Sequence, residues 1–241
     1  MSINSLYFSP AHCFQNFLIY CLCICTLAWA KDTLVFDAKY DVAWKGWKCG
    51  CMHSQLWQKE DSSYFYTQSL KSSLFFLSFE QSEESQFSII DGKIECKKYH
   101  VQRQGFDGPS YTVLFYPHNV EIFFTGNDDL THYDLKGELV YDKLVTQLVL
   151  IRDILKNNAP GDRTVCFIDP DGVHHRTYKL DSDGRAFKFR SDYGTKSSAF
   201  TLDPKRRYIP IIFEQYRHGS LTLTGELINS SFGIGWDNFL A

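Results

Sequence analysis

Residues 141–158 read YDKLVTQLVLIRDILKNN, and here alone the apolar side chains recur at helical spacing. Leu144, Val145, Leu148, Ile151 and Leu155 fall on one face of a 3.6-residue turn. Asp142 is placed to accept from the free amides of the first turn, and residues 157–161 supply a stop. The spacing predicts an amphipathic α-helix over 142–157, about four turns long, packed on a sheet.

Outward from this helix the pattern changes to short runs in which β-branched and aromatic residues alternate with polar ones, the period of half-buried strands. Before the helix the runs predict strands at 34–47, 49–58, 63–70, 74–80, 86–90, 93–104, 111–116 and 120–125. After it they predict strands at 163–169, 173–181, 185–193, 196–202, 208–216 and 220–227. Asp91-Gly92, Asp107-Gly108, Asp171-Gly172 and Asp183-Gly184 mark tight hairpins, because glycine accepts the positive φ such turns require. Residues 105–110 and 126–137 have the composition of surface loops. Short hairpins make antiparallel neighbours, so the fold class is mainly β: a strongly curved antiparallel sheet or open β-barrel with one packed amphipathic helix.

Residues 1–30 contain no Lys, Arg, Asp or Glu, and the apolar run from Phe17 to Ala30 is short for a bilayer span. With Ala28 and Ala30 forming a small-residue cleavage pattern, 1–30 reads as a signal peptide and 31–241 as a single β-rich domain. The leader lacks the usual positive charge before its apolar core; an uncleaved anchor is the alternative. Aromatic residues make up 16% of the chain, which gives one domain large side chains to bury. A net charge of −3 provides no electrostatic footprint for nucleic acid.

Export places the remaining cysteines, Cys49, Cys51, Cys96 and Cys166, in an oxidising compartment, where four thiols allow three disulfide pairings. Two of them lie in WKCGCMHSQLW, residues 47–57. On a regular strand Cys49, Cys51 and His53 share one face, a soft donor set suited to copper or zinc. Gly50 marks the alternative, a bulge that turns the two cysteines apart, with one of them paired to Cys96 or Cys166. His174 and His175 are adjacent on a strand and so face opposite ways. Asp128 with Asp129 and Glu83 with Glu84 read as solvated loop carboxylates. Serine-hydrolase elbows, zinc-protease helices and phosphate-binding glycine loops are not found in the sequence.

The segments YDVAWKGWKCG (40–50), VYDKLVTQLVLIRDIL (140–155) and YIPIIFE (208–214), with Tyr178-Lys179-Leu180 and the closing strand, resemble the bacterial exported family called domain of unknown function 3108. The similarity runs in the same order over nearly all of 31–241. It implies a secreted or periplasmic β-rich domain in the envelope of a Gram-negative bacterium, with no established activity and no catalytic residues to carry over. Cys49 and Cys51 stand where that family has a small residue and an acidic or polar one, so the resemblance lends the thiols no role.

The leading expectation is a noncatalytic periplasmic binding or envelope-assembly module. It would hold a lipid or an extended protein segment on a concave sheet face furnished by Phe75, Phe76, Phe79, Phe115, Phe123 and Phe124. The alternatives are a metal-handling protein using Cys49, Cys51 and His53, and an enzyme acting on an envelope polymer or lipid. N-terminal sequencing of the exported protein should return Lys31 as the first residue; a chain retaining Met1 would contradict the leader.

Overall fold

Hairpin after hairpin sets the architecture. The computed structural model describes residues 32–74, 77–105, 108–126, 130–157, 161–182 and 185–240. The leader at 1–30 lies outside them, as do Phe75, Phe76, Asp107, Asp128, Asp129 and the Asp183-Gly184 turn. A first meander comprises β1 (Thr33–Trp44), β2 (Trp47–Gln58), β3 (Tyr64–Leu74), β4 (Leu77–Ile90), β5 (Lys93–Gln104), β6 (Tyr111–Phe115), β7 (Asn119–Phe124) and β8 (Leu130–Asp134). Helix α1 (Lys143–Asn157) follows. The second meander is β9 (Arg163–Asp169), β10 (Gly172–Ser182), β11 (Phe187–Tyr193), β12 (Lys196–Leu202), β13 (Pro210–Arg217) and β14 (Ser220–Phe232), and α2 (Gly235–Leu240) ends the described chain.

Pairing of β1 with β14, from Phe36 opposite Phe232 to Trp44 opposite Leu223, joins the meanders into one 14-stranded antiparallel sheet. Its order, β8-β7-β6-β5-β4-β3-β2-β1-β14-β13-β12-β11-β10-β9, leaves β8 and β9 as edges, so the sheet curls without closing. The β9 edge is not left bare. Tyr141 donates its N–H to the Cys166 carbonyl at 3.0 Å and accepts from the Ile168 N–H at 2.9 Å, occupying ladder groups that would otherwise invite another strand.

The helix forms where the spacing places it, but its setting differs from a helix laid on one sheet face. Leu144, Val145 and Leu148 join a core shared with Phe36, Tyr66, Phe87 and Tyr99 of the first meander. Leu150, Ile151 and Ile154 join a second core with Tyr178, Leu180, Phe189 and Phe200. The helix is thus packed between the two arms. Arg152, on its remaining side, is buried with its guanidinium over the Phe239 ring.

A helix that starts inside a core must satisfy its first amides there. Asp142 does so, accepting from the Val145 N–H at 2.9 Å, while Ser85 Oγ donates to its other oxygen at 2.5 Å. This explains a second departure. The polar run QSEES at 81–85 separates two predicted strands, yet β4 runs unbroken because Glu83 and Ser85 point inward to partners at the helix start. Strand β8 lies in the stretch whose composition predicts a surface loop: at five residues, three exposed and two half-buried, it has no fully buried side chain to mark it as a strand. Helix α2 was also unforeseen. Its Trp236 and Phe239 are fully buried and pack edge-on and stacked among Phe36, Tyr64 and Phe87, closing one end of the sheet.

Burial pushes the Asp142 carboxyl up to about 6, against hydrogen bonds from Ser85, Val145 and Cys96 that favour its charged form. Between its ordinary 3.8 and about 6 the folded chain therefore binds a proton that the unfolded chain has lost. That stabilisation is complete below about pH 3.8 and disappears as pH rises through about 6, a swing of about 3 kcal/mol. Asp142→Asn keeps a capping oxygen but cannot titrate. Chemical denaturation should show the variant gaining about that much stability relative to the native sequence between pH 4 and 7; a constant difference would refute the assignment.

Candidate functional site

The strand registers define two ends of the curled sheet. Phe36 lies level with Leu56 and, through it, Tyr66, at the end filled by Trp236 and Phe239. Val42 and Trp44 lie at the other, across from Gly50 and Trp47 on one side and from Gly225 and Leu223 on the other. There a cavity of about 890 Å³ remains open, a size suited to a small-molecule ligand.

Its walls divide by chemistry. Val42, Trp44, Met52, Leu70, Phe79 and Leu223 present apolar surface from five strands. Against them stand Arg103 at the end of β5, Lys143 and Gln147 on the first turns of α1, and Lys196 at the start of β12. Among the described lining residues the one carboxylate, Glu83, is already engaged: Lys143 Nζ lies 2.9 Å from it and Tyr99 donates at 2.5 Å. Burial raises the Glu83 pKa, but Lys143 and the hydrogen bonds from Tyr99 and Gln81 outweigh burial and hold it below the ordinary range. Arg103 is braced at the mouth by Gln81 Oε1 at 3.2 Å and the Pro109 carbonyl at 3.0 Å. The Gln147 side-chain oxygen is buried without a hydrogen-bond donor among the described residues, an acceptor free for a ligand.

A β-bulge shapes this wall and decides the fate of the Cys-Gly-Cys motif. Val42 pairs with Gly50 and Ala43 with Lys48, leaving Cys49 with no opposite number. Cys49 is buried and lines the cavity, whereas Cys51 is exposed on the outer face. Gly50 permits the close approach of β3, since a Cβ there would lie 2.1 Å from the Lys71 carbonyl oxygen. His53 Nε2 is 2.8 Å from Asp37 Oδ2, which Gln55 also bonds. The structure does not bring Cys49, Cys51 and His53 together, because the extra residue reverses the alternation between the two thiols.

Among the described residues, the thiols of Cys49, Cys51, Cys96 and Cys166 are not joined in disulfides. Cys49 and Cys51 leave opposite faces of one strand, Cys96 hydrogen-bonds Asp142 beneath the helix, and Cys166 sits on β9. Burial, with Glu138 beside it, pushes the Cys166 thiol up to about 11. His174 and His175 bond different carboxylates, Asp169 and Glu138, each at 3.0 Å. Of the phenylalanines expected on a concave face, Phe79 lines the cavity, Phe115 and Phe124 pack against the core, and Phe123 is exposed. The cavity cations carry no sequence signature, because Arg103, Lys143 and Lys196 lie on three separated elements that only the curl of the sheet brings together.

No protein-family model matches the chain, and no curated protein matches it. Among solved structures it is similar to a crystal structure of a β-barrel-like protein of domain of unknown function DUF1849 from Brucella abortus. The TM-score is 0.55 at 12% identity, over 83% of this chain and 98% of that one. At such identity the likeness shows the fold alone, which is β-barrel-like.

The bulge makes a simple chemical prediction. Brief alkylation of the native protein, followed by peptide mapping, should modify Cys51 well before Cys49, Cys96 and Cys166. Equal rates for Cys49 and Cys51 would place both thiols on one face and contradict the register.

Proposed function

We propose that the protein is a noncatalytic envelope module that holds an anionic amphiphile, a lipid-like molecule with an apolar chain and a carboxylate or phosphate head, in the cavity at the open end of its sheet. The division of the cavity wall carries this reading. Apolar side chains from β1, β2, β3, β4 and β14 offer contact to a chain, with about 25 cal/mol gained per Å² removed from water. Among the described residues, Arg103 and Lys196 remain as cations without a lining carboxylate of their own, since Lys143 is engaged with Glu83. An anionic head near them gains charge-assisted hydrogen bonds, and a neutral one does not.

The rim supports delivery from a membrane surface. Trp47 is 75% exposed, and Trp44 and Leu221 about two-fifths exposed, beside Lys45 and Lys48. Tryptophan and lysine together favour the interfacial layer of a bilayer carrying anionic lipids. No described helix is long and apolar enough to cross a membrane. The periplasmic setting and membership of domain of unknown function 3108 belong to this reading through the leader at 1–30 and the motifs at 40–50, 140–155 and 208–214. A catalytic reading gains less: the carboxyl raised most, Asp142, is sealed beneath the helix and is not part of the cavity wall.

Binding of a fluorescent fatty acid to the full-length protein, in competition with a long-chain carboxylate and its matching alcohol, tests this directly. The carboxylate should compete about tenfold more strongly, and Lys196→Glu should remove most of that preference while leaving the melting temperature nearly unchanged. Equal competition by the alcohol, or no binding at all, would overturn the proposal.

A further inference from the structure

We propose that Glu138, Cys166 and His175 form a binding site for a zinc ion. The site shares no residue with the amphiphile cavity and is distinct from the Cys49, Cys51 and His53 set, so it stands independently of the binding reading.

Backbone placement makes the case first. Cys166 on β9 and His175 on β10 are directly opposed in antiparallel register. Such cross-strand pairs hold their Cβ atoms about 5 Å apart, close enough for a thiolate and an imidazole to converge on one ion. Glu138 comes from the segment between β8 and α1. That segment is tied to β9 three residues later by the two Tyr141 hydrogen bonds to Cys166 and Ile168. The third donor is therefore anchored beside the first two.

Side-chain geometry agrees. One donor atom from each residue lies within 4.8 Å of the others, and His175 Nε2 is 3.0 Å from Glu138 Oε2. Zinc bonds of about 2.0–2.3 Å in a tetrahedron set neighbouring donors roughly 3.3–3.7 Å apart, so small side-chain rotations suffice. The thiol of Cys166 and the imidazole of His175 both bond the Glu138 carboxylate. Zinc binding replaces that arrangement: Cys166 releases its thiol proton to solvent as a sulfur–zinc bond forms, neutral His175 offers a nitrogen lone pair, and Glu138 offers an oxygen.

The donor set selects the metal class. A thiolate disfavours magnesium and calcium, and its combination with imidazole and carboxylate suits zinc. His175 and Glu138 are more than half exposed and Cys166 is buried, so the ion can arrive from solvent and rest on a sheltered sulfur. Three protein donors leave a fourth position for water or an exchangeable ligand, the arrangement of an accessible site rather than a closed structural one.

Cobalt(II) titration of the reduced full-length protein supplies the test. A saturable 1:1 near-ultraviolet thiolate-to-cobalt band should appear and be displaced by zinc. Cys166→Ser should abolish it; Glu138→Gln and His175→Ala should each weaken cobalt binding at least tenfold; Cys49→Ser and Cys51→Ser should leave it unchanged. His175→Ala alters an exposed side chain and keeps the test decisive if Cys166→Ser does not fold. Absence of the band, its survival in Cys166→Ser, its loss in Cys51→Ser or its indifference to His175→Ala would overturn the site.

Discussion

The carboxyl of Asp142, buried beneath the first turn of α1, is the contact on which the rest of the molecule depends. A helix enclosed between two arms of a sheet brings unpaired amides into a region without water, where each orphaned group costs about 1–3 kcal/mol. Asp142 satisfies the Val145 amide, and Ser85 and Cys96 hold the carboxyl in place from β4 and β5. The next residue, Lys143, reaches Glu83 on β4. Two consecutive side chains thus fix the start of the helix to the first meander before its apolar residues meet either core.

From that anchorage follows the open form of the sheet. With a helix supplying apolar surface to both arms, β8 and β9 need not pair to complete a core, and the segment before the helix occupies the β9 edge instead. One end is filled by the aromatic side chains of α2. At the other, the helix shows Lys143 and Gln147 to an unfilled space, and the strands around it turn from core residues to a mixed wall. The cavity is what remains where the helix begins and the aromatic filling is absent. Of its cations, Lys143 is held by the ion pair that anchors the helix, while Arg103 and Lys196 are supplied by β5 and β12.

Much of this architecture is legible in the residues themselves. The alternation of 93–104, the Asp91-Gly92 hairpin and the spacing of Leu144, Val145, Leu148 and Ile151 are local signals, and the local geometry follows them. The cap by Asp142 is likewise readable from its place one residue before the helix. What escapes is what depends on distant partners. Glu83 and Ser85 read as surface because nothing nearby in sequence says that Asp142, Lys143 and Tyr99 await them. Cys49 and Cys51 read as neighbours on one face until the bulge opposite Val42 separates them, with Gly50 the only local hint. The cavity cations and the Glu138, Cys166 and His175 cluster are assembled from separate elements and leave no motif.

The most direct test of the central claim is native mass spectrometry of the full-length protein recovered from a bacterial envelope, alongside Lys196→Glu prepared in the same way. The account predicts a noncovalent 1:1 adduct whose released mass is that of an acidic lipid-like molecule, strongly reduced in the variant. A bare chain in both samples, or a neutral molecule retained equally by both, would contradict it.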